Sequence, residues 1–123
     1  MKDFKKAEEY NKKALEIRTN ILGPVHHFVA ASHNNLGSVY YHLQRYDEAI
    51  IHIHKTIEIL TQIYGPLHPD LASAYSSVAG INFDLKNYDE SVKYSKKAME
   101  IIEKIIGKHS QRYFNLGYNL AST

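Results

Sequence analysis

The sequence predicts an all-α fold, a solenoid of stacked helix–turn–helix units. Three observations carry this. Glycines at 23, 65 and 107 stand 42 residues apart, and the first two open near-identical blocks, Gly23-Pro24-Val25-His26 and Gly65-Pro66-Leu67-His68. The residues ahead of each glycine repeat in the same register: Lys13, Lys55 and Lys97; Glu16, Glu58 and Glu100; Ile17, Ile59 and Ile101; Ile21, Ile63 and Ile105. Between these blocks apolar residues recur at three- and four-residue steps, the spacing of a helix that buries one face. A fixed period of this size marks stacked repeats, each burying its face only against its neighbours.

The first helix is expected over residues 3–22, with Ala7, Ala14, Ile17 and Ile21 (Tyr10 nearby) as its apolar side. Gly23 then offers a left-handed cap, and Pro24 cannot continue the hydrogen-bond ladder. A second helix runs from about His26 to Leu43, with Val29, His33, Leu36, Tyr40 and Leu43 as one buried stripe. Tyr46-Asp47-Glu48 opens a third, its carboxylates suited to the positive end of a helix, with Ala49, Ile53, Thr56, Ile59, Leu60 and Ile63 facing inward. The second unit repeats the plan. Leu71, Tyr75, Val78, Asn82 and Leu85 form one stripe, and Val92, Ala98, Met99, Ile101, Ile102 and Ile105 supply the next. Pro69 and Asp70 suit a first helical turn. Five helices and no strand are counted, and short connections imply antiparallel neighbours. After Gly107 a further helical segment is expected to begin near Ser110, with Tyr113, Leu116 and Leu120 apolar. The chain divides as one domain: half repeat 1–22, repeats 23–64 and 65–106, half repeat 107–123.

At 123 residues the chain is long enough for a single core. It contains no cysteine, which excludes a disulfide scaffold or thiolate metal site and suits a reducing, cytoplasmic setting. No apolar run approaches the roughly 18 residues of a membrane span, and no signal peptide follows Met1-Lys2-Asp3. The net charge of +2 is too small to argue for nucleic acid. Residues 1–22 carry six Lys/Arg against four Asp/Glu, residues 23–86 three against five, and residues 87–123 six against four. Neither nucleic acid nor membrane is expected as a partner.

Within the first unit, Leu36-Gly37, Tyr40, Ala49 and Ile53 resemble the tetratricopeptide repeat pattern of Leu-Gly, Tyr, Ala and a large apolar residue. The longer period, Gly-Pro-x-His between units, and Asn34-Asn35-Leu36-Gly37 make the chain more similar to the repeats of kinesin light chains and their relatives. Asn82 stands in place of the tyrosine, Ser91 in place of the alanine, and Ser95 and Asn11 where the large residue belongs. The third block reads Gly107-Lys108-His109, without proline.

The resemblance implies a right-handed superhelix whose first helices line a concave, peptide-binding groove. On it the candidate site is Ala31, Asn34, Ser38 and Tyr41 in the first unit, Ser73, Ser76, Gly80 and Phe83 in the second, and Asn115, Tyr118 and Ser122 beyond. Asparagine can pair with a peptide amide, and the aromatic rings offer apolar surface. None of these residues is basic, which argues against clamping a terminal carboxylate or an acidic ligand.

Eight histidines raise a metal reading, but no two stand three or four apart on a helix, so no metal site is expected. His26 and His68, at equivalent positions, are read as helix-start residues. No phosphate loop or nucleophile motif is present; no enzyme activity and no cofactor are expected. The expected function is a protein-interaction module, with a structural, self-assembling segment as the alternative. The flanking half repeats expose apolar residues, Phe4, Ala14, Ile17 and Ile21 at one end and Tyr113, Phe114, Leu116 and Leu120 at the other. Two origins are weighed for this: a piece of a longer array, or half repeats that complete one another in a homo-oligomer.

Overall fold

The protein's structure is a computed structural model, which describes the backbone of residues 3–122 and the side chains of residues 3–107. Five helices follow one another: α1 Phe4–Leu22, α2 His27–His42, α3 Tyr46–Tyr64, α4 Pro69–Asp84 and α5 Tyr88–Ser122. Sequential helices pack on one another, most extensively α2 with α3 and α4 with α5. These pairs are the two repeats.

The joint between repeats is built from its own residues. Gly23 and Gly65 cap α1 and α3 with φ of +87° and +81°, their amides donating to Thr19 and Thr61 carbonyls at 2.9 Å each. Proline follows each and stops the helix. His26 and His68 then act as N-caps, their Nδ1 atoms accepting from the amides of Phe28 (3.0 Å) and Asp70 (3.1 Å). The glycine–proline–histidine signature is thus a stop and a start within four residues. The turn inside each repeat is equally regular. Gln44 and Lys86, 42 residues apart, both adopt left-handed backbone, φ of 61° and 66°. Arg45 and Asn87 amides then reach back to Tyr40 and Asn82 carbonyls at 2.8 Å.

At Gly107 the expected break is absent. This glycine does not adopt positive φ, and Lys108 rather than proline follows, so nothing interrupts the ladder and α5 continues to Ser122. The separate helix expected near Ser110 is a continuation of α5. Whether Tyr113, Leu116 and Leu120 form an apolar face lies outside the described side chains.

The core joins Val29, Leu36 and Tyr40 of α2, Ala49, Ile53 and Leu60 of α3, Leu71 and Val78 of α4, and Ala98 and Ile101 of α5. Gly37 lets α2 meet α3 closely: a Cβ there would lie 2.8 Å from Ile53 Cγ1 and 3.3 Å from the Ala49 carbonyl oxygen. The polar departures of the second unit satisfy themselves. Buried Asn82 donates to the Val78 carbonyl at 3.0 Å, and Ser91 to that of Ala79 at 2.9 Å.

Several expected inward residues face outward. Ile63, Val92, Met99 and Ile102 are exposed, because α3 and α5 each meet their neighbours over a narrower arc than their apolar residues span. In α1, Tyr10, Ile17 and Ile21 are exposed, and the helix packs instead through Phe4, Glu8, Leu15 and Arg18. Phe4 stacks on His42 at 4.8 Å, which half-buries it. Arg18 donates to Ser32 Oγ (2.8 Å) and the Phe28 carbonyl (3.2 Å). Glu8 meets Arg45 at 3.1 Å, while Arg45 grips Glu48 with two 2.7 Å bonds and lies over the Tyr40 ring.

Candidate functional site

A groove runs between α2 and α4, the first helices of the two repeats. It consists of two adjoining clefts of about 370 and 330 Å³ that share Asn34 and Ser77. Small residues make it possible: Gly37, Ala30 and Ala31 on α2 and Ala74 and Gly80 on α4 keep the helix surfaces low. Ile53, Leu60 and Ile81 supply an apolar floor. Asn34, Ser38, Ser73 and Ser77 place an amide and three hydroxyls along it, with Ser77 Oγ also donating to the Ser73 carbonyl at 3.1 Å. Nothing lies within 4 Å of a Cβ added at Gly80, so that position opens into free space.

One end is tied across the gap. The Tyr41 hydroxyl of α2 donates to Asp84 Oδ2 of α4 at 2.7 Å. This bond, then the carboxylate's charge, raises the Tyr41 hydroxyl above the usual phenol range. Asp70 and His27 line the other end. Among the described residues no lysine or arginine lines the groove.

Of the residues expected to form the site, Ala31, Asn34, Ser38, Tyr41, Ser73 and Gly80 line this groove together. Ser76 does not. It lines a separate hollow between α4 and α5, with Ala98, Met99 and Ile102. Phe83 also points elsewhere, its exposed ring packed edge-on to Tyr88 of α5 at 5.4 Å. Copying one face from unit to unit causes the error. A helix in a stack has two flanks, and the groove takes one flank of α2 but the opposite flank of α4. His42 and Asp84 hold the same repeat position: His42 meets Phe4 of the preceding α1, and Asp84 meets Tyr41 of the preceding α2. Asn115, Tyr118 and Ser122 lie outside the described side chains. Ser77, Asp70 and Asp84 were missed; stepping four, three and four from Ser73 through Ser77 and Gly80 reaches Asp84, so helical periodicity alone could have found that flank.

Beside the groove, within the first repeat, His33 and His52 bring their Nδ1 atoms to 3.0 Å. The His52 ring stacks on Tyr40, centroids 5.4 Å apart. Burial first, then the charges of His52 and Lys55, pushes His33 down to about 4. His52 is lowered chiefly by burial, with Glu48 opposing the shift. The pair is a hydrogen bond between neutral rings, one donating and one accepting. No group of three metal-ligating side chains occurs among the described residues.

Sequence comparison decides the family. Models described as tetratricopeptide repeat match residues 1–50 and 28–80, and a further one matches residues 71–112. The chain belongs to the tetratricopeptide repeat family. No curated protein matches it. Among solved structures it is similar to BtubC (BKLC) from P. vanneervenii, with a TM-score of 0.77 and 24% identity over 85% of this chain. That likeness shows the helical-repeat fold. The chain spans 42% of that protein's length. Tetratricopeptide repeats are in general protein-interaction modules, and no helix among the described residues is long and apolar enough to cross a membrane.

Proposed function

We propose that this chain is a protein-interaction module that holds an extended peptide segment in the groove between α2 and α4. One observation carries the reading: small residues keep the groove open over an apolar floor while Asn34, Ser38, Ser73 and Ser77 line it at helical spacing. Such an array suits a peptide backbone, whose amides need partners whatever its side chains. Tyr41 adds a rigid aromatic surface fixed by Asp84.

Gly80 supplies the test. A Cβ at Gly80 has nothing within 4 Å, so a Gly80→Leu side chain would leave the helix into free space and fill the groove. Screening the parent protein against a diverse peptide display library should yield binders, and Gly80→Leu should abolish their binding while leaving the helical circular dichroism unchanged. A folded parent protein that retains no peptide would overturn the reading.

A second reading, a self-assembling structural segment, draws on apolar surface at both ends of the stack: Tyr10, Ile17 and Ile21 on α1, and Val92, Met99 and Ile102 on α5. Molar mass by light scattering across concentration separates the two. An assembly disrupted by Ile17→Asp, together with an inert groove, would favour the segment.

A further inference from the structure

The groove carries its charge in one sign and at its two ends. Asp70 lines one end, and Asp84 holds Tyr41 at the other. Both side chains are exposed. They lie 14 residues apart on the same helix, which sets them about 21 Å apart on nearly the same face. No described lysine or arginine lines the space between them. Of the three basic residues in residues 23–86, Arg45 pairs with Glu48 and Glu8 and Lys55 lies 3.8 Å from Glu58, while Lys86, two residues from Asp84, lines neither cleft. The stretch that forms the groove, residues 23–86, is the only segment in which acids outnumber bases, five to three, while both flanks are basic.

From this we infer that the groove's ligand is a cationic extended peptide bearing a lysine or arginine near each end of the bound segment. This rests on the groove reading above and adds the ligand's chemistry. An extended strand rises about 3.3 Å per residue, so a separation of about 21 Å corresponds to cationic residues roughly six apart. The neutral interior of the groove then pairs with the backbone between them, and the two carboxylates fix register and direction of approach. Asp84 is already oriented by Tyr41 and keeps lone pairs free to accept from an incoming ammonium or guanidinium. An acidic segment would instead place its charges against Asp70 and Asp84 with no cation in the groove to offset them.

The test uses immobilised ten-residue peptide pools with randomised interiors and two fixed positions six apart, occupied by lysine in one pool, glutamine in a second and glutamate in a third. The lysine pool should retain the protein best and the glutamate pool least. Neutralising the carboxylates, Asp70→Asn with Asp84→Asn, should reduce lysine-pool binding about 10-fold, consistent with two exposed charge pairs of modest strength. It should lower glutamine-pool binding much less, so that the preference for lysine over glutamine shrinks, since the amide oxygen that Asp84→Asn introduces can still accept from Tyr41. Raising the salt should erode the preference in parallel. Equal retention of all pools, or preference for glutamate, with binding still abolished by Gly80→Leu, would overturn the charge inference and leave the groove reading standing. Binding that survives Gly80→Leu would place the ligand elsewhere and overturn both. No retention of any pool by folded protein would likewise overturn both.

Discussion

Two glycines that line the groove, one on α2 and one on α4, have opposite roles. Gly37 is where α2 comes down on Ile53 and the Ala49 carbonyl. The methyl of Gly37→Ala would have to displace a branched side chain. Overpacking of this kind costs about 1–3 kcal/mol, against a helix-propensity gain of about 1 kcal/mol, so a net loss of about 1 kcal/mol is expected in urea denaturation. Gly80→Ala meets nothing and should stabilise by about 1 kcal/mol in the same assay. The His33–His52 pair gives a pH signature. His33 lies at about 4 in the fold against 6.5 for a free histidine, chiefly through burial, and His52 is lowered in the same direction. Below pH 6.5 the unfolded chain therefore takes up protons that the fold refuses. Stability should be full above about 6.5 and fall as pH drops towards 4. The urea midpoint of His33→Gln should lose much of this slope. A slope equal to that of the parent protein would mean that other groups set the acid sensitivity.

At the scale of helices and turns, punctuation decides the architecture. The stops at Gly23 and Gly65 and the starts at His26 and His68 were legible because glycine, proline and an N-capping side chain each have a backbone reason to be there. The left-handed turns at Gln44 and Lys86 were not, since neither residue type signals positive φ. Left-handed backbone costs an L-residue about 1–2 kcal/mol, and glycine gives back about 0.5–1 kcal/mol in unfolded-chain entropy. Gln44→Gly should thus stabilise by about 0.5–1 kcal/mol, read as a raised urea midpoint. The buried stripes of α2 and α4 followed from their periodicity. The faces of α1 and α5 did not: α1, for one, meets its neighbour through charged residues, Glu8 and Arg18, that a hydrophobicity pattern assigns to solvent. The groove was legible on α2 and half legible on α4. Repeat register copies positions faithfully, but a neighbour on each side turns one position into two environments.

Across the whole molecule, two helix pairs share one continuous core, and the groove exists only where one pair lies against the next. Its lining comes from both repeats, with Asn34 and Ser38 on one wall and Ser73, Ser77 and Gly80 on the other. Binding in it would reward correct stacking, because a peptide spanning α2 and α4 would favour the docked arrangement over any in which the pairs separate.

The joint at Gly65 has a consequence for how such a chain grows. The hydrogen bonds that stop one helix and start the next, from the Thr61 carbonyl to the Asp70 amide, fall within ten consecutive residues, and the same bonds recur 42 residues earlier. A segment cut after Gly23 and after Gly65 is a cassette with interchangeable ends: a second copy spliced in would meet both its neighbours through junctions the protein already contains. Each inserted copy would bring a new interface between first helices, and with it another stretch of groove. On the proposed groove reading, the length of ligand such a protein could read would be set by counting, one duplication at a time, rather than by reshaping the site.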